Sequence, residues 1–189
     1  MINNLLNNEC KNIIRCLNNI KKEHNRLFIQ LCNDALSILK NGGKIIFCGN
    51  GGSAADAQHL ATELVVRYKK NRKAIPAISL TTDTSILTAV GNDFSFNKIF
   101  SRQIEAIAKY NDLVICLSTS GNSKNIINAV TMAKKLKIKC YSIVGNKGGK
   151  LKEIQKELIV IPEKKTSVIQ ICQLTLGHVF CEYIEKKLS

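Results

Sequence analysis

Four side chains that could bind a metal or move a proton lie at helical spacing in two distant parts of the chain. His59 and Glu63 are four residues apart, and Gln170 and His178 are eight apart. If each pair lies on a helix, its members share, or nearly share, one face. Together they offer the nitrogen and oxygen ligands of a four-coordinate zinc-type site. The same groups could instead act as general base and acid for proton transfer between adjacent carbons.

Each of these residues by itself would more often be structural, so the prediction rests on the set of four. It also requires the two predicted helices to meet in the fold, although their metal-type residues lie more than a hundred positions apart.

A hydroxyl-rich turn, Ser-Thr-Ser-Gly-Asn-Ser at 118–123, precedes a segment that we expect to be helical from about Asn122. Helix N-termini offer free N–H groups and a positive dipole end, which suit phosphate. One serine there would be an ordinary helix cap. Four hydroxyls after an apolar strand favour a phosphate site instead. The turn lacks the Gly-Lys-Ser/Thr ending of a P-loop.

A second polar loop, Gly-Asn-Gly-Gly-Ser at 49–53, follows another apolar run. Its glycines allow the backbone to approach a ligand closely. The spacing does not match the G-x-G-x-x-G fingerprint of dinucleotide-binding folds, so we assign no nicotinamide site. Taken alone, the loop is a tight strand-to-helix turn with Ser53 as a cap.

These loops lie in a chain whose apolar runs alternate with helical segments. Such alternation predicts an α/β fold with a parallel sheet covered on both faces. The predicted strands are 44–48, 77–81, 113–117, 140–144 and 158–161. The predicted helices around them are 53–70, 84–91, 96–109, 122–137, 149–155 and 166–186. Both loops then fall at carboxyl ends of strands, where such sheets bind ligands.

Residues 1–41 have helical periodicity, with a break near 23–25, and glycines at 42 and 43 end the second helix. We expect an N-terminal helical hairpin packing on the α/β core. The length of 189 residues suits one domain, 1–189, with little room for a second.

Composition argues against several other functions. The net charge of +14 comes from scattered lysines, and aromatic residues are only 5% with no Trp, so we expect no nucleic-acid partner. A positive field would attract a sugar phosphate. The apolar run 168–184 is interrupted by Gln170, Gln173, His178 and Glu182, so we expect no membrane span. Eight cysteines without a C-x-x-C pair, and no secretory signal, indicate free thiols in the cytoplasm.

Several runs together resemble one family. They are GNGGSAADAQHLATELVVRY, TAVGNDFSFNKIFSRQ, STSGNS and the late spacing I-Q-x7-H. They resemble the sedoheptulose 7-phosphate isomerases, or phosphoheptose isomerases, of the sugar-isomerase (SIS) fold, over essentially the whole chain. The resemblance implies a single SIS domain with a five-stranded parallel sheet in a flavodoxin-like three-layer sandwich. It also implies a homotetramer that converts D-sedoheptulose 7-phosphate to D-glycero-D-manno-heptose 7-phosphate, the first step toward nucleotide-activated heptoses of surface polysaccharides.

Residue roles follow from the same resemblance. The implied zinc ligands are His59, Glu63, Gln170 and His178, and the implied acid–base pair is Glu63 with His178. The implied substrate contacts are Asn50, Gly51, Gly52, Ser53, Glu63, Asn92, Asp93, Ser118, Thr119, Ser120, Ser123 and Gln170. Many family members carry an acidic residue directly after the late glutamine and a charged residue shortly before it, whereas this chain has Ser167, Val168 and Ile171. This difference bears on sugar specificity.

Two regulatory functions are the alternatives. One SIS-fold protein binds a replication initiator without isomerase activity, and it lacks the complete acid–base and metal set. Other SIS domains bind sugar phosphates beside a fused DNA-binding domain, for which this chain shows no helix-turn-helix segment. The presence of both Glu63 and His178 favours the enzyme.

Overall fold

The computed structural model describes all residues, 1–189, and contains one sheet of five parallel strands. The strands are β1 (Ile45–Cys48), β2 (Ala77–Ser79), β3 (Leu113–Ser118), β4 (Lys139–Val144) and β5 (Leu158–Val160). Their order in the sheet is β2-β1-β3-β4-β5, the order found in flavodoxin-like folds. Every residue of β1 and β3 is buried, because helices cover both faces of these central strands.

Eight α-helices surround the sheet. They are α1 (Ile2–Glu23), α2 (Asn25–Lys40), α3 (Gly52–Val65), α4 (Thr84–Asp93), α5 (Ile99–Ile107), α6 (Lys124–Lys135), α7 (Leu151–Ile154) and α8 (Thr166–Leu188). A larger apolar core joins α1, α2, α3 and α8 to one face of the sheet, and a smaller one joins α4, α5 and α6 to the other. The predicted three-layer α/β fold is therefore confirmed. No helix combines the length and the apolarity that a membrane span requires.

The two N-terminal helices meet at His24, inside the predicted break. Cys16 and Ile20 of α1, and Leu31 and Ala35 of α2, are buried in the larger core with α8. The first half of α1 is mostly exposed, including its apolar side chains. The N-terminal pair therefore packs on the core through its later turns.

Most predicted helices differ from the observed ones by one to five residues at one or both ends, and the largest difference is at the end of α3. We expected α3 to continue to residue 70, but it ends at Val65. The N–H of Ile75 donates to the carbonyl oxygen of Leu64 at 3.1 Å, so the returning chain takes an acceptor at the helix end. Helix α6 begins at Lys124, with Ser123 as its N-cap residue, two positions later than expected.

Candidate active site

The two polar loops leave neighbouring strands side by side. Strand β1 leads into the glycine loop, residues 49–53, and β3 leads into the hydroxyl turn, residues 118–123. Cys48 and Cys116 are paired across β1 and β3, so both loops start at the same edge of the sheet. This is the carboxyl edge, where open α/β sheets bind ligands.

A reciprocal amide pair links the two loops. The Nδ2 of Asn50 donates to the Oδ1 of Asn125, and the Nδ2 of Asn125 donates to the Oδ1 of Asn50, both at 2.8 Å. Asn125 is buried, and its Oδ1 also accepts the N–H of Ile126 at 2.9 Å. The side chain of Asn50 is thus already engaged, although Asn50 was predicted as a substrate contact. Nothing in the sequence indicated the role of Asn125.

The hydroxyl turn is shaped partly by its own side chains. The Oγ of Ser118 accepts the N–H of Gly121, and the Oγ of Ser120 accepts the N–H of Asn122, both at 3.1 Å. Thr119 and Ser123 are half-buried, and their hydroxyls make no hydrogen bond to the protein. The turn therefore presents two free hydroxyls beside the N-terminus of α6, an arrangement suited to a phosphate.

Gly121 shapes this turn because its φ is +67°, in the left-handed region. A Cβ there would lie 2.1 Å from the carbonyl oxygen of Gly148. The turn therefore requires glycine at this position for both its conformation and its packing.

Three of the four predicted metal-type side chains meet at the contact between α3 and α8. The Nε2 of His59 lies 2.9 Å from the Oε1 of Glu63 and 3.0 Å from the Nε2 of His178. One ligand atom from each residue lies within 4.8 Å of the other two. The two histidines are 119 residues apart, and the packing of the helices brings them together.

Gly177 permits the close approach of these helices. A Cβ at Gly177 would lie 2.4 Å from the Cδ2 of Leu60, and Leu60 is itself buried. Gly177 precedes His178, and Leu60 follows His59, so the tightest contact adjoins the histidine pair. A glycine inside an apolar helix usually has a packing reason, and this was the available sequence signal for the contact.

Gln170, the fourth predicted ligand, lies near the N-terminus of α8, beside the glycine loop. Its Nε2 is 2.1 Å from the position that a Cβ would take on Gly52. Eight residues of helix separate Gln170 from His178, about 12 Å along the axis. No hydrogen bond joins Gln170 to the other three, so it borders the cluster rather than closing it. Ser53 is bonded to Gln173, at 3.1 Å between its Oγ and the Oε1.

Asn92 and Asp93, two predicted sugar contacts, lie in the helical layer across the sheet from the histidine cluster. They lie at the end of α4, which packs in the smaller core through Val90. Both side chains are exposed, and the Nδ2 of Asn92 donates to the Oδ1 of Asp93 at 2.9 Å. No hydrogen bond connects either side chain to the loops or to the histidine cluster. Their predicted contact with the sugar remains a prediction.

The cluster has the donor chemistry of a divalent-metal site. Two imidazole nitrogens and one carboxylate oxygen converge, and neither nitrogen is bonded to the main chain. In a hydrogen bond between two neutral imidazoles one Nε2 donates and the other accepts, whereas a divalent cation would take a lone pair from both nitrogens and from the carboxylate oxygen. The residues therefore fit a zinc-type ion.

Two further side chains border the cluster without having been predicted. The ring centroid of Tyr68 lies 5.7 Å from that of His178. Asp56, one turn before His59 on α3, has a buried Oδ2 without a hydrogen-bond partner. Burial raises the pKa of the Asp56 carboxyl, and the charge of His59 opposes that rise.

Comparisons with known proteins agree with this architecture. The profile of the SIS domain matches residues 10–145. The phosphoheptose isomerase of Akkermansia muciniphila is 48% identical over 159 residues, covering 84% of this chain and 82% of that protein. The phosphoheptose isomerase of Aquifex aeolicus is 46% identical over 180 residues, covering 93% and 94%.

Solved structures give the same result. The phosphoheptose isomerase from Neisseria gonorrhoeae superposes with a TM-score of 0.91 at 36% identity, covering 98% of this chain and 100% of that one. The phosphoheptose isomerase from Francisella tularensis superposes with a TM-score of 0.92 at 30% identity, covering 98% and 99%. The parallel sheet, the two strand-end loops and these relatives together establish that the chain belongs to the phosphoheptose isomerase family of SIS-domain proteins.

Proposed function

We propose that this protein interconverts D-sedoheptulose 7-phosphate and D-glycero-D-manno-heptose 7-phosphate. The observation that carries this proposal is the meeting of Glu63 with His59 and His178 on two helices that are remote in sequence. The relatives named phosphoheptose isomerase support it. The convergence of Glu63 and His178 also favours the enzyme over a non-catalytic regulator that binds a replication initiator.

The proposed reaction moves hydrogen between adjacent carbons. The Glu63 carboxylate takes a proton from C1 of the ketose, the C1–C2 enediol forms, and the proton returns to C2. His178 moves the hydroxyl proton from O1 to O2, since imidazole gains and loses protons near neutral pH. The product carries its carbonyl at C1, and no atom or electron is gained or lost overall.

We propose zinc as the bound ion, held by His59, Glu63 and His178 with Gln170 beside them. Glu63 and His178 would loosen their hold on the ion when they move protons, because a lone pair bound to a metal cannot also act as a base. Zinc there would act as a Lewis acid toward the negative charge of the enediolate. The support is the convergence of the three ligand atoms within 4.8 Å.

We assign the phosphate group of the substrate to the hydroxyl turn. Thr119 and Ser123 offer free hydroxyls, and Ser118 and Ser120 hold the turn in shape. The start of α6 adds N–H donors and the positive end of its dipole. Gly51, Gly52 and the backbone of Ser53 would then face the sugar from the neighbouring loop, since the Ser53 hydroxyl is bonded to Gln173.

We propose a homotetramer with active sites at subunit boundaries. Apolar side chains next to the cluster residues are exposed: Val65, Val66, Ile171 and Val179, each at least 41%. A second subunit covering them would also supply groups that one chain leaves distant, such as Asn92 and Asp93. Light scattering tests this assembly, and a stable, active monomer would contradict it.

We place the reaction in the cytoplasm, as the first step toward nucleotide-activated heptoses for lipopolysaccharide or capsule. All eight cysteines are free and seven are buried, which accords with a reducing compartment.

The direct test is to incubate purified protein with D-sedoheptulose 7-phosphate and follow aldose formation, with zinc supplied and after chelation. We expect turnover that depends on the metal. The His178→Gln variant, assayed at equal concentration, controls for a contaminating isomerase. A folded, zinc-supplied protein that forms no aldose would contradict the proposal and favour a regulatory role.

A further inference from the structure

A buried carboxylate near the end of α8 anchors the segment that follows α3. Glu185 is only 1% exposed. Its two oxygens accept the N–H of Lys69 at 2.8 and 2.9 Å, and the N–H of Lys70 at 3.0 and 3.1 Å. Such bonds to an ionised group are strong, and a buried carboxylate is costly without them. Glu185 therefore fixes the backbone of this segment, residues 66–73, against α8.

The environment of Glu185 favours its charged form. Burial acts to raise the pKa of the carboxyl, but the N–H groups of Lys69 and Lys70 and the charge of Arg72 outweigh it. The pKa therefore lies below its ordinary value. Glu185 consequently holds the segment as a carboxylate at neutral pH.

Arg72 connects the anchored segment to Glu63, the first proposed catalytic residue. The Nη2 of Arg72 donates to the carbonyl oxygen of Glu63 at 2.8 Å, and its Nη1 donates to that of Leu64 at 2.8 Å. These are among the last carbonyls of α3, which lack helical partners. Arg72 thus sets the end of the helical turn that carries Glu63.

Tyr68 connects the same segment to His178, the second proposed catalytic residue. The Tyr68 ring is tilted by 35° to the His178 imidazole, with the centroids 5.7 Å apart. Tyr68 directly precedes Lys69, whose N–H is bonded to Glu185. One short segment therefore contacts both Glu63 and His178.

We propose that Glu185 is a positioning residue, which holds residues 66–73 so that Glu63 and His178 meet in working geometry. It acts through the backbone of Lys69 and Lys70, through Arg72 and through Tyr68, without touching the substrate. This inference rests on the proposed function for its kinetic consequence. Its consequence for the geometry of the cluster is independent of the reaction.

The test compares Glu185→Gln with Glu182→Gln. The first change keeps the shape of the side chain, but it brings an NH₂ group toward backbone N–H donors and removes the charge. Glu182 is the matched control, because it lies one turn earlier on the same helix and pairs on the surface with Lys69 and Lys186. The measurements are kcat, KM for the sugar phosphate, and the zinc dissociation constant by competition with a chromogenic chelator. Circular dichroism checks the fold.

For Glu185→Gln we expect kcat to fall about tenfold or more and zinc affinity to fall about tenfold, the scale on which supporting residues act. KM should stay within about threefold, since the hydroxyl turn is untouched. Glu182→Gln should stay within about twofold on every measure. A folded Glu185→Gln protein with wild-type kcat and zinc affinity would overturn the proposal. A variant that loses thermal stability but keeps both values would overturn it as well.

A second variant covers the case in which Glu185→Gln does not fold. Arg72→Lys keeps the charge but cannot bridge two carbonyl oxygens with a planar fork. It should lower kcat and zinc affinity in the same direction, and wild-type values for it would overturn the proposal. If the wild-type protein binds zinc but forms no aldose, the proposed function fails, and the zinc affinities still decide the role of Glu185.

Discussion

The hydroxyl turn and the histidine cluster are built in opposite ways. In the turn, Ser118 and Ser120 bond to backbone groups two or three residues away. In the cluster, His59 meets a histidine that is 119 residues away, through the packing of α3 on α8. The turn is therefore shaped mainly by local hydrogen bonds, with Gly148 and Lys150 packed against it. The cluster depends on helix packing and on the segment anchored by Glu185. Substitutions far from the metal and the sugar phosphate should therefore disturb the cluster before they disturb the turn.

The largest expected effect comes from the cluster itself. Glu63→Gln keeps an oxygen ligand but removes the base, and His178→Gln removes the imidazole that moves protons. Each should lower kcat by about a hundredfold or more, the scale of general acid–base catalysis. Circular dichroism should show an intact fold, because neither change opens a large cavity. Near wild-type rates in both folded variants would show the acid–base assignment to be wrong.

The next effect concerns the turn. Ser120→Ala should raise KM for the sugar phosphate by roughly three- to tenfold, because it removes the hydrogen bond from the N–H of Asn122 that holds the turn in shape. Ser120→Asp should raise it further, because a carboxylate repels the phosphate. Ser37→Asp, at an exposed position near the end of α2, is the charge control. Steady-state kinetics provide the measurement, and an unchanged KM in Ser120→Asp would remove the turn from the site.

A third prediction tests the helix contact beneath the cluster. Glycine-to-alanine changes in helices usually stabilise, but Gly177→Ala would press against Leu60. We expect the free energy of unfolding to fall by about 1–3 kcal/mol and zinc affinity to fall with it. Urea unfolding and metal competition measure the two effects.

Adding Leu60→Ala to Gly177→Ala provides the control, because it removes the side chain that the new methyl group meets. The double variant should regain zinc affinity relative to Gly177→Ala. A Gly177→Ala protein with wild-type stability and wild-type zinc affinity would show that the helices can separate without cost to the cluster.

The smallest expected effect concerns the link between the two loops. Asn50→Ala and Asn125→Ala should each raise KM a few-fold, since each removes the same pair of hydrogen bonds. The double variant should have about the same KM as each single variant, because either single change already removes both hydrogen bonds of the pair. Steady-state kinetics of the wild type, the two single variants and the double variant complete this double-mutant cycle. Fully additive losses would show that the two asparagines act separately.

Much of the fold was predictable because its signals are local. The five apolar runs became the five strands, and the glycines at 42 and 43 ended α2 as expected. The end of α3 was not predictable. Residues 66–70 continue an apolar, helix-compatible pattern, but Arg72 and Ile75 return to the carbonyls of Glu63 and Leu64. Those contacts belong to the tertiary structure, so local propensity predicted five residues of helix too many.

The features of the site also fall into those that local sequence predicts and those that tertiary packing decides. Spacing alone placed His59 near Glu63 on one helix face and put both loops at the carboxyl edge of the sheet. The sequence could not show that α8 would bring His178 to His59, or that Asn125 would pair with Asn50, because such contacts depend on how distant elements pack. Periods of two and 3.6 residues are properties of the backbone and can be read from the chain. The meeting of His59 with His178, and the hold of Glu185 on the segment beside them, exist only once the core has closed.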